Sequence, residues 1–198
     1  SLNTPIYKIA SFEITDLELL EYIASKKKPI ILSTGMANLN EIKEAIKTIN
    51  SKKNNNIILL HCVSGYPSPI SEINLKTIRD LKEKFNLHVG LSDHTLTNIA
   101  STVSVAYGSC LIEKHFKLNN KLKTPDDKFS LLPNQLSNLC EDTKSAWLSL
   151  GNANYQLKKS EKPNIIFRRS LYFVNDLKKN TTITRNDVRI IRPGYGLE

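Results

Sequence analysis

Apolar residues over the first three quarters of the chain fall into two alternating patterns. Short β-branched and aliphatic runs occupy Ile6 to Ala10, Pro29 to Ser33, Asn56 to Cys62, His88 to Ser92 and Cys110 to His115. Between and after them, apolar positions recur at helical spacing: Leu17, Leu20 and Ile23; Ile42, Ala45, Ile46 and Ile49; Leu75, Ile78 and Leu81; Ile99, Val103 and Ala106; and Leu136, Leu139, Trp147 and Leu148. That spacing predicts five amphipathic helices. The short runs lack polar alternation, so they predict strands buried on both faces, and helices between them make the strands parallel. Thr15 and Asp16 are placed to cap the first helix, and Asn38 the second.

Five βα units fit either an open doubly wound sheet or part of a (β/α)8 barrel, which needs eight units and about 250 residues. No GxGxxG or GxxxxGK[ST] loop follows any run, which removes the usual reason for a nucleotide-binding sheet. Instead, polar and titratable residues end the runs: Lys8 and Ser11, Ser33 and Thr34, His61 and Ser64, Ser92 to His94, and His115. Barrel active sites are built at strand C-termini. The expected architecture is therefore α/β, the C-terminal part (about five βα units) of a TIM barrel over residues 1–157, with three units expected upstream. Residues 158–166, from Lys158 through Pro163, read as a charged linker. Phe167 to Val174 and Val188 to Ile191 then read as strands around a turn at Asn175 to Thr181. So short a segment buries little core alone, so 167–198 is expected to open a second domain cut short or to form an arm that packs elsewhere, with Leu197-Glu198 either the cut itself or an expression scar.

Composition narrows the class. The chain has 198 residues, 40% hydrophobic and 24% charged, the proportions of a globular domain. No apolar run reaches the roughly 20 residues of a membrane span, and no charged-then-apolar leader opens the chain. Cys62, Cys110 and Cys140 show no metal-finger spacing. Cys62 and Cys110 lie in apolar runs and read as buried thiols of a reducing, cytoplasmic setting. The net charge of +9 would suit a nucleic-acid binder. Its lysines, however, are dispersed (Lys26-Lys27-Lys28, Lys52-Lys53, Lys178-Lys179), and no RNP, helix-turn-helix or zinc-finger pattern accompanies them. Solvated surface lysines account for the charge, and no nucleic-acid partner is expected.

Two sets of residues can carry chemistry. His94 and His115 end consecutive predicted strands on one rim, where two imidazoles can hold a divalent cation with open positions. Asp93 and Glu113 are close enough in sequence to fix the imidazole tautomers. Spacing alone leaves open two unrelated histidines. Lys8, Ser11, Ser33 and Ser92 form the second set, suited to a phosphate or carboxylate. A Schiff-base lysine and a Lys8–Glu13 ion pair are the alternatives. His61 and Cys62 are adjacent on a strand and face opposite sides, so they do not form a dyad. Tyr66, between Ser64 and the prolines Pro67 and Pro69, is a rim hydrogen-bonding group. Pro125-Asp126-Asp127 lies in a long polar loop that suits either a substrate contact or a solvated turn.

Tyr7-Lys8-Ile9-Ala10-Ser11-Phe12-Glu13, Ile31-Leu32-Ser33-Thr34-Gly35-Met36, His61 to Pro67, Gly90-Leu91-Ser92-Asp93-His94-Thr95 and Ile112-Glu113-Lys114-His115-Phe116 resemble the successive motifs of the sialic acid synthase family, in order and at family spacing. Pro125-Asp126 through Leu131, Phe167 to Tyr172 and Ile191 to Leu197 are most similar to its pseudaminic acid branch, with the N-acetylneuraminate and legionaminate branches next. The resemblance implies a TIM barrel followed by an SAF (antifreeze-like) domain in a homodimer. It implies a metal-dependent condensation of phosphoenolpyruvate with an amino sugar, with Mn²⁺ or Mg²⁺ on His94 and His115. Phosphoenolpyruvate contacts then fall on Lys8, Ser11, Ser33 and Ser92, and sugar contacts on Tyr66 and Asp126. Arg192 matches the arginine that a partner's SAF domain lends to the sugar. Ser64 departs from the family's usual Asn. The family's catalytic glutamate belongs to the first barrel units, so the chain by itself is expected to be inactive. Outside this resemblance, a metal-dependent aldolase or isomerase acting on a phosphorylated sugar is the alternative enzyme class.

Overall fold

The computed structural model describes residues 3–121 and 123–195. Gly196, Leu197 and the expected break at Leu197-Glu198 lie outside the described residues. The chain divides into two compact units, Ser1–Gly151 and Asn152–Glu198. In the first, strands and helices alternate: β1 (Tyr7–Ile9), α1 (Leu17–Ser25), β2 (Ile30–Ser33), α2 (Leu39–Ser51), β3 (Ile57–Cys62), α3 (Lys76–Phe85), β4 (His88–Asp93), α4 (Ile99–Ala106), β5 (Ile112–Lys114) and α5 (Pro133–Leu150). The five strands pair in parallel in sequence order, β1-β2-β3-β4-β5. A doubly wound sheet reverses direction at a switch point, and this one does not. Right-handed crossovers in unbroken order put every helix on the same side of the sheet, which is the arrangement of a barrel segment.

Local sequence explains the element ends. The Asp16 carboxylate accepts from Leu19 N–H at 3.0 Å and starts α1. Asn38 closes a capping box on α2: its side chain accepts from Glu41 N–H at 3.1 Å, and Glu41 accepts from Asn38 N–H at 2.8 Å. Asn86 ends α3 in the left-handed region, at φ 52°.

The strand registers Lys8↔Ile31, Ser33↔Leu60, Cys62↔Ser92 and Ser92↔Glu113 put two sets of side chains on opposite faces, because neighbours along a strand alternate. Ile9, Ile30, Leu32, Ile57, Leu59, Val89 and Leu91 face the helices. They pack with Leu20, Ala24, Ala45, Ile49, Ile78 and Leu81 into the core, all buried. The opposite face, which lines the barrel interior, carries Lys8, Ser33, Cys62, Ser92 and Glu113. Core and chemistry thus occupy different faces of the same strands.

Gly90 belongs to the interior face where β4 meets β5. A Cβ there would run into the Leu111 carbonyl oxygen and would lie 2.7 Å from Leu60 Cδ2. The Leu111 carbonyl also accepts the ladder bond from Leu91 N–H at 2.9 Å. Only glycine permits this approach.

Two expectations need correction. Cys110 is exposed, because β5 begins only at Ile112 and Cys110 lies in the preceding turn. In the second unit, the segment expected as linker forms a 3-10 run over Lys159–Phe167, and β6 (Ser170–Phe173) starts three residues later than predicted. β6 pairs antiparallel with β7 (Val188–Ile191). The Tyr172 hydroxyl donates to the Pro193 carbonyl at 2.7 Å and accepts from Tyr195 N–H at 3.1 Å.

Two predictions follow from the packing. Gly90→Ala will destabilise the first unit by about 1–3 kcal/mol or more, read as a lower urea midpoint. His61 faces the helices, is buried, and donates from Nε2 to the Ile73 carbonyl at 2.5 Å. Burial lowers its pKa below the ordinary 6.5, against the raising effect of that carbonyl. A histidine held neutral in the folded state contributes stability above the unfolded pKa and loses it as pH falls from there toward the folded value. Urea midpoints will drop as pH falls below about 6.5, and His61→Gln, which keeps an N–H donor, will show a smaller drop. An equal drop in both proteins refutes the assignment.

Candidate functional site

β4 and β5 run in parallel, and their last paired positions are Asp93 and Lys114. The next residue on each is a histidine. The two imidazoles, His94 and His115, have ring centres 5.2 Å apart. His94 is buried, and its Nδ1 lies 3.0 Å from the Val63 carbonyl oxygen. An Nδ1–H donated to a carbonyl leaves the Nε2 lone pair free. His115 Nδ1 lies 3.3 Å from Asp126 Oδ2, so a carboxylate stands beside the second ring.

Burial lowers the His94 pKa, but the Cys62 thiol and the Val63 carbonyl outweigh it and hold it above the ordinary value. Burial likewise raises the Cys62 thiol, and contacts with His94, Ser11 and Ser64 outweigh it, leaving the thiol below its usual range. Cys62 Sγ is 3.9 Å from both His94 Nδ1 and Ser64 Oγ.

Two nitrogen ligands at about 2.1 Å from one ion place their ring centres roughly 4.5–6.5 Å apart. The ring spacing therefore fits one shared divalent cation. Among the described residues no group of three or more His, Cys, Asp or Glu side chains converges to hold a metal, so the fit rests on the imidazole pair.

Aromatic rings enclose that pair. The Tyr66 ring lies 4.3 Å from His94 and 6.0 Å from His115, and the buried Phe129 ring lies 4.9 Å from His115 and 5.5 Å from Tyr66. Tyr66 is half exposed, with its hydroxyl pKa raised first by partial burial and then by the negative charge of nearby Cys62, Asp126 and Glu113.

A second cluster occupies the same interior face. Lys8 Nζ donates to Ser33 Oγ at 2.9 Å and lies 3.5 Å from Glu113 Oε1, which also accepts from Ser92 Oγ at 2.7 Å. Ser11 Oγ accepts from Gly35 N–H at 3.0 Å, and a Cβ on Gly35 would lie 2.7 Å from that oxygen. Gly35 thus lets Ser11 and Ser64 crowd beneath Cys62. Ser11, Ser33 and Ser92 are buried, while Lys8 keeps about a third of its side chain exposed. One residue, Glu113, ties Lys8 to Ser92.

The structure brings Lys8, Ser33 and Ser92 together, and His94, His115, Tyr66 and Asp126 together beside them. Ser11 and Ser64 join through Cys62. Arg192 follows β7 in the second unit and is exposed. Two readings are overturned. Glu113 pairs with Ser92 and Lys8, not with an imidazole, and it replaces Glu13 as the partner of Lys8. Asp93 faces the helices and bonds to Ser101 and Lys114, because strand alternation turns it away from both rings. Sequence reasoning missed Phe129 and the contact of Cys62 with His94. Counting by twos from Gly90 would have put Ser92 and His94 on one face, with Cys62 beside Ser92; Phe129 stands out only as an aromatic residue in a polar loop.

The chain is similar in sequence and fold to three named proteins. The chain is 44% identical over 199 residues to N,N'-diacetyllegionaminic acid synthase of Campylobacter jejuni, covering 99% of this chain and 60% of that protein. It is 42% identical over 198 residues to pseudaminic acid synthase of Helicobacter pylori, covering 100% of this chain and 58% of the relative. In three dimensions it is similar to the N-acetylneuraminic acid synthetase of Leptospira borgpetersenii, with a TM-score of 0.74 and 36% identity over 82% of this chain and 57% of the other. The chain thus spans about three fifths of the length of the curated relatives it matches. With residues 1–155 matching the NeuB family, a parallel barrel segment and these motifs on its rim, the chain belongs to the NeuB family.

Proposed function

We propose that this chain supplies the cation site and the phosphoenolpyruvate site of a nonulosonic acid synthase, and that its product is pseudaminic acid. The observation that carries the reading is the imidazole pair, with His94 Nδ1 on the Val63 carbonyl and His115 Nδ1 beside Asp126, next to a lysine–serine cluster on the same rim. The relatives named for pseudaminic and legionaminic acid synthesis support the reaction class.

His94 and His115 would hold Mn²⁺ or Mg²⁺, which when bound supplies Lewis-acid polarisation of the aldehyde of the open-chain sugar. The Lys8 ammonium and the hydroxyls of Ser11, Ser33 and Ser92 bind the carboxylate and phosphate of phosphoenolpyruvate and hold its C3 toward that aldehyde. Glu113 keeps the ammonium and the Ser92 hydroxyl oriented between ligands. Tyr66, Asp126 and Ser64 border the space left for the sugar. C3 bonds to the aldehyde carbon, water adds at C2, and phosphate leaves by C–O cleavage, so the sum is phosphoenolpyruvate, sugar and water giving a nine-carbon acid and phosphate. Residues from 167 onward open an SAF domain that brings Arg192 to the site of a partner copy in a homodimer. The 198-residue chain alone is inactive on this reading.

The sugar is 2,4-diacetamido-2,4,6-trideoxy-altropyranose. The 44% identity to a legionaminic acid synthase favours the legionaminate precursor as the second reading. Assaying phosphate release by the complete polypeptide that carries this chain, with each sugar in turn, will give higher kcat/KM for the altro sugar. A preference for another precursor replaces the pseudaminate reading, and turnover without phosphoenolpyruvate replaces it with an aldolase or isomerase.

His94→Ala and His115→Ala will each lower condensation by at least about 100-fold and flatten the activation curve with added Mn²⁺. An unchanged metal titration in both variants would falsify the cation site.

A further inference from the structure

On the helix-facing side of the sheet, strand positions are filled by isoleucine, leucine and valine until the rim, apart from Tyr7 and His61. There Asp93 and Lys114 interrupt the core. Their side chains are 0% and 2% exposed, and Lys114 Nζ lies 3.1 Å from Asp93 Oδ2. The ammonium also donates to the Thr95 carbonyl at 2.7 Å and reaches the Thr97 carbonyl at 3.4 Å. Asp93 Oδ1 accepts from Thr95 N–H at 2.8 Å, and Oδ2 accepts from the Ser101 hydroxyl of α4 at 2.5 Å. Three N–H groups on one side and two oxygens on the other are thereby all used.

A buried ion pair gains little over an apolar pair of similar volume, because desolvation offsets the attraction. Packing alone therefore does not explain why charges stand here. What an apolar pair cannot do is bond to backbone. Lys114 adjoins His115, and its three acceptors lie in Asp93, Thr95 and Thr97, on either side of His94. Each contact ties the residue before one imidazole to the chain flanking the other. The segment 94–98 has no strand or helix of its own, so its path is fixed by these bonds together with Ser68 N–H, which donates to the His94 carbonyl at 3.1 Å, and the Thr95 hydroxyl, which donates to the Thr97 carbonyl at 3.1 Å.

We infer that Asp93 and Lys114 are positioning residues: a buried clamp that holds the His94 and His115 rings in the relative placement a shared divalent cation requires. The inference rests on the reading of those two imidazoles as the ion's ligands. The clamp touches neither ion nor substrate. It acts by fixing the backbone at Thr95 and Thr97, which keeps His94 Nδ1–H on the Val63 carbonyl.

The test uses the complete polypeptide that carries this chain, with Lys114→Met and with the double variant Asp93→Asn, Lys114→Met. The double variant leaves no unpaired buried charge and nearly preserves volume, so it retains wild-type circular dichroism even where the single variant does not fold. Two measurements follow. Titration with Mn²⁺ alone, followed by electron paramagnetic resonance, will show roughly 10–100-fold weaker binding in the double variant; wild-type affinity in a folded double variant overturns the clamp. In the metal-free protein, ¹⁵N spectra of labelled histidine will show His94 as a single Nδ1–H tautomer in the wild type and as an average of both in the double variant. A retained single tautomer overturns the clamp whatever the Mn²⁺ result. Failure of the wild type to bind Mn²⁺ removes the cation reading instead, and the imidazole spectrum then decides the clamp by itself.

Discussion

Parallel backbone register between β4 and β5 is the constraint on which the site depends. Asp93 pairs with Lys114, and one step further along each strand stand the two histidines. A shift of one residue in either strand would turn one imidazole into the helix layer, because strand side chains alternate with a period of two. Register in a sheet buried on both faces is strongly specified, and here Gly90 contributes to it. With no side chain at that position, the Leu111 carbonyl can approach closely enough to accept from Leu91 N–H.

The same alternation separates stability from chemistry. Leu91 packs with Leu59 and Val89 against the helices, while Ser92, next in sequence, faces Glu113 and the barrel interior. Substitutions on the interior face can change charge and hydrogen bonding without opening a cavity in the core. Interior polar groups still need partners, and they find them in one another: Lys8 with Ser33 and Glu113, Glu113 with Ser92, Ser11 with Gly35 N–H. Among the described residues no buried side-chain nitrogen or oxygen lacks a hydrogen-bond partner. A network satisfied in this way is set before any ligand arrives, and the proposed anion site would draw on that order.

Much of this was legible in the chain itself. Helical spacing at Ile42, Ala45, Ile46 and Ile49 and the cap at Asn38 gave α2 directly, and the apolar run at Asn56 to Cys62 gave β3. Parallel strands followed from the absence of polar alternation, the barrel segment from the polar residues that end the runs without a nucleotide-binding loop, and the rim position of His94 and His115 from their place at strand ends. Partners were harder to read. Proximity in sequence suggested that Asp93 and Glu113 would orient the imidazoles, yet residues adjacent on a strand point apart. Glu113 therefore meets Lys8, which is 105 positions earlier and four strands away in the sheet order. The actual partners of the rings, the Val63 carbonyl and Asp126, come from loops whose paths no periodicity encodes. Cys110 failed for a simpler reason: an apolar run does not mark the residue at which hydrogen-bonded pairing begins.

Loops at the rim acquire their shape from contacts that the strands impose. The long segment between β5 and α5 is pinned at one end by Lys117, whose ammonium bonds to the Asp127 carboxylate at 2.7 Å and to its carbonyl at 2.8 Å. At the other end, Leu131 N–H donates to the His115 carbonyl at 2.8 Å, and Lys117 N–H donates to the Leu131 carbonyl at 2.9 Å. Between these points Phe129 is carried into the space beside His115, and Asp126 is set against its Nδ1. The hydrophobic driving force on Phe129 and the charge on Asp126 thus act on the same ring from two sides. One buried aromatic in a polar loop converts the connection into a wall of the site, and this explains how such a loop can set a carboxylate 3.3 Å from an imidazole nitrogen.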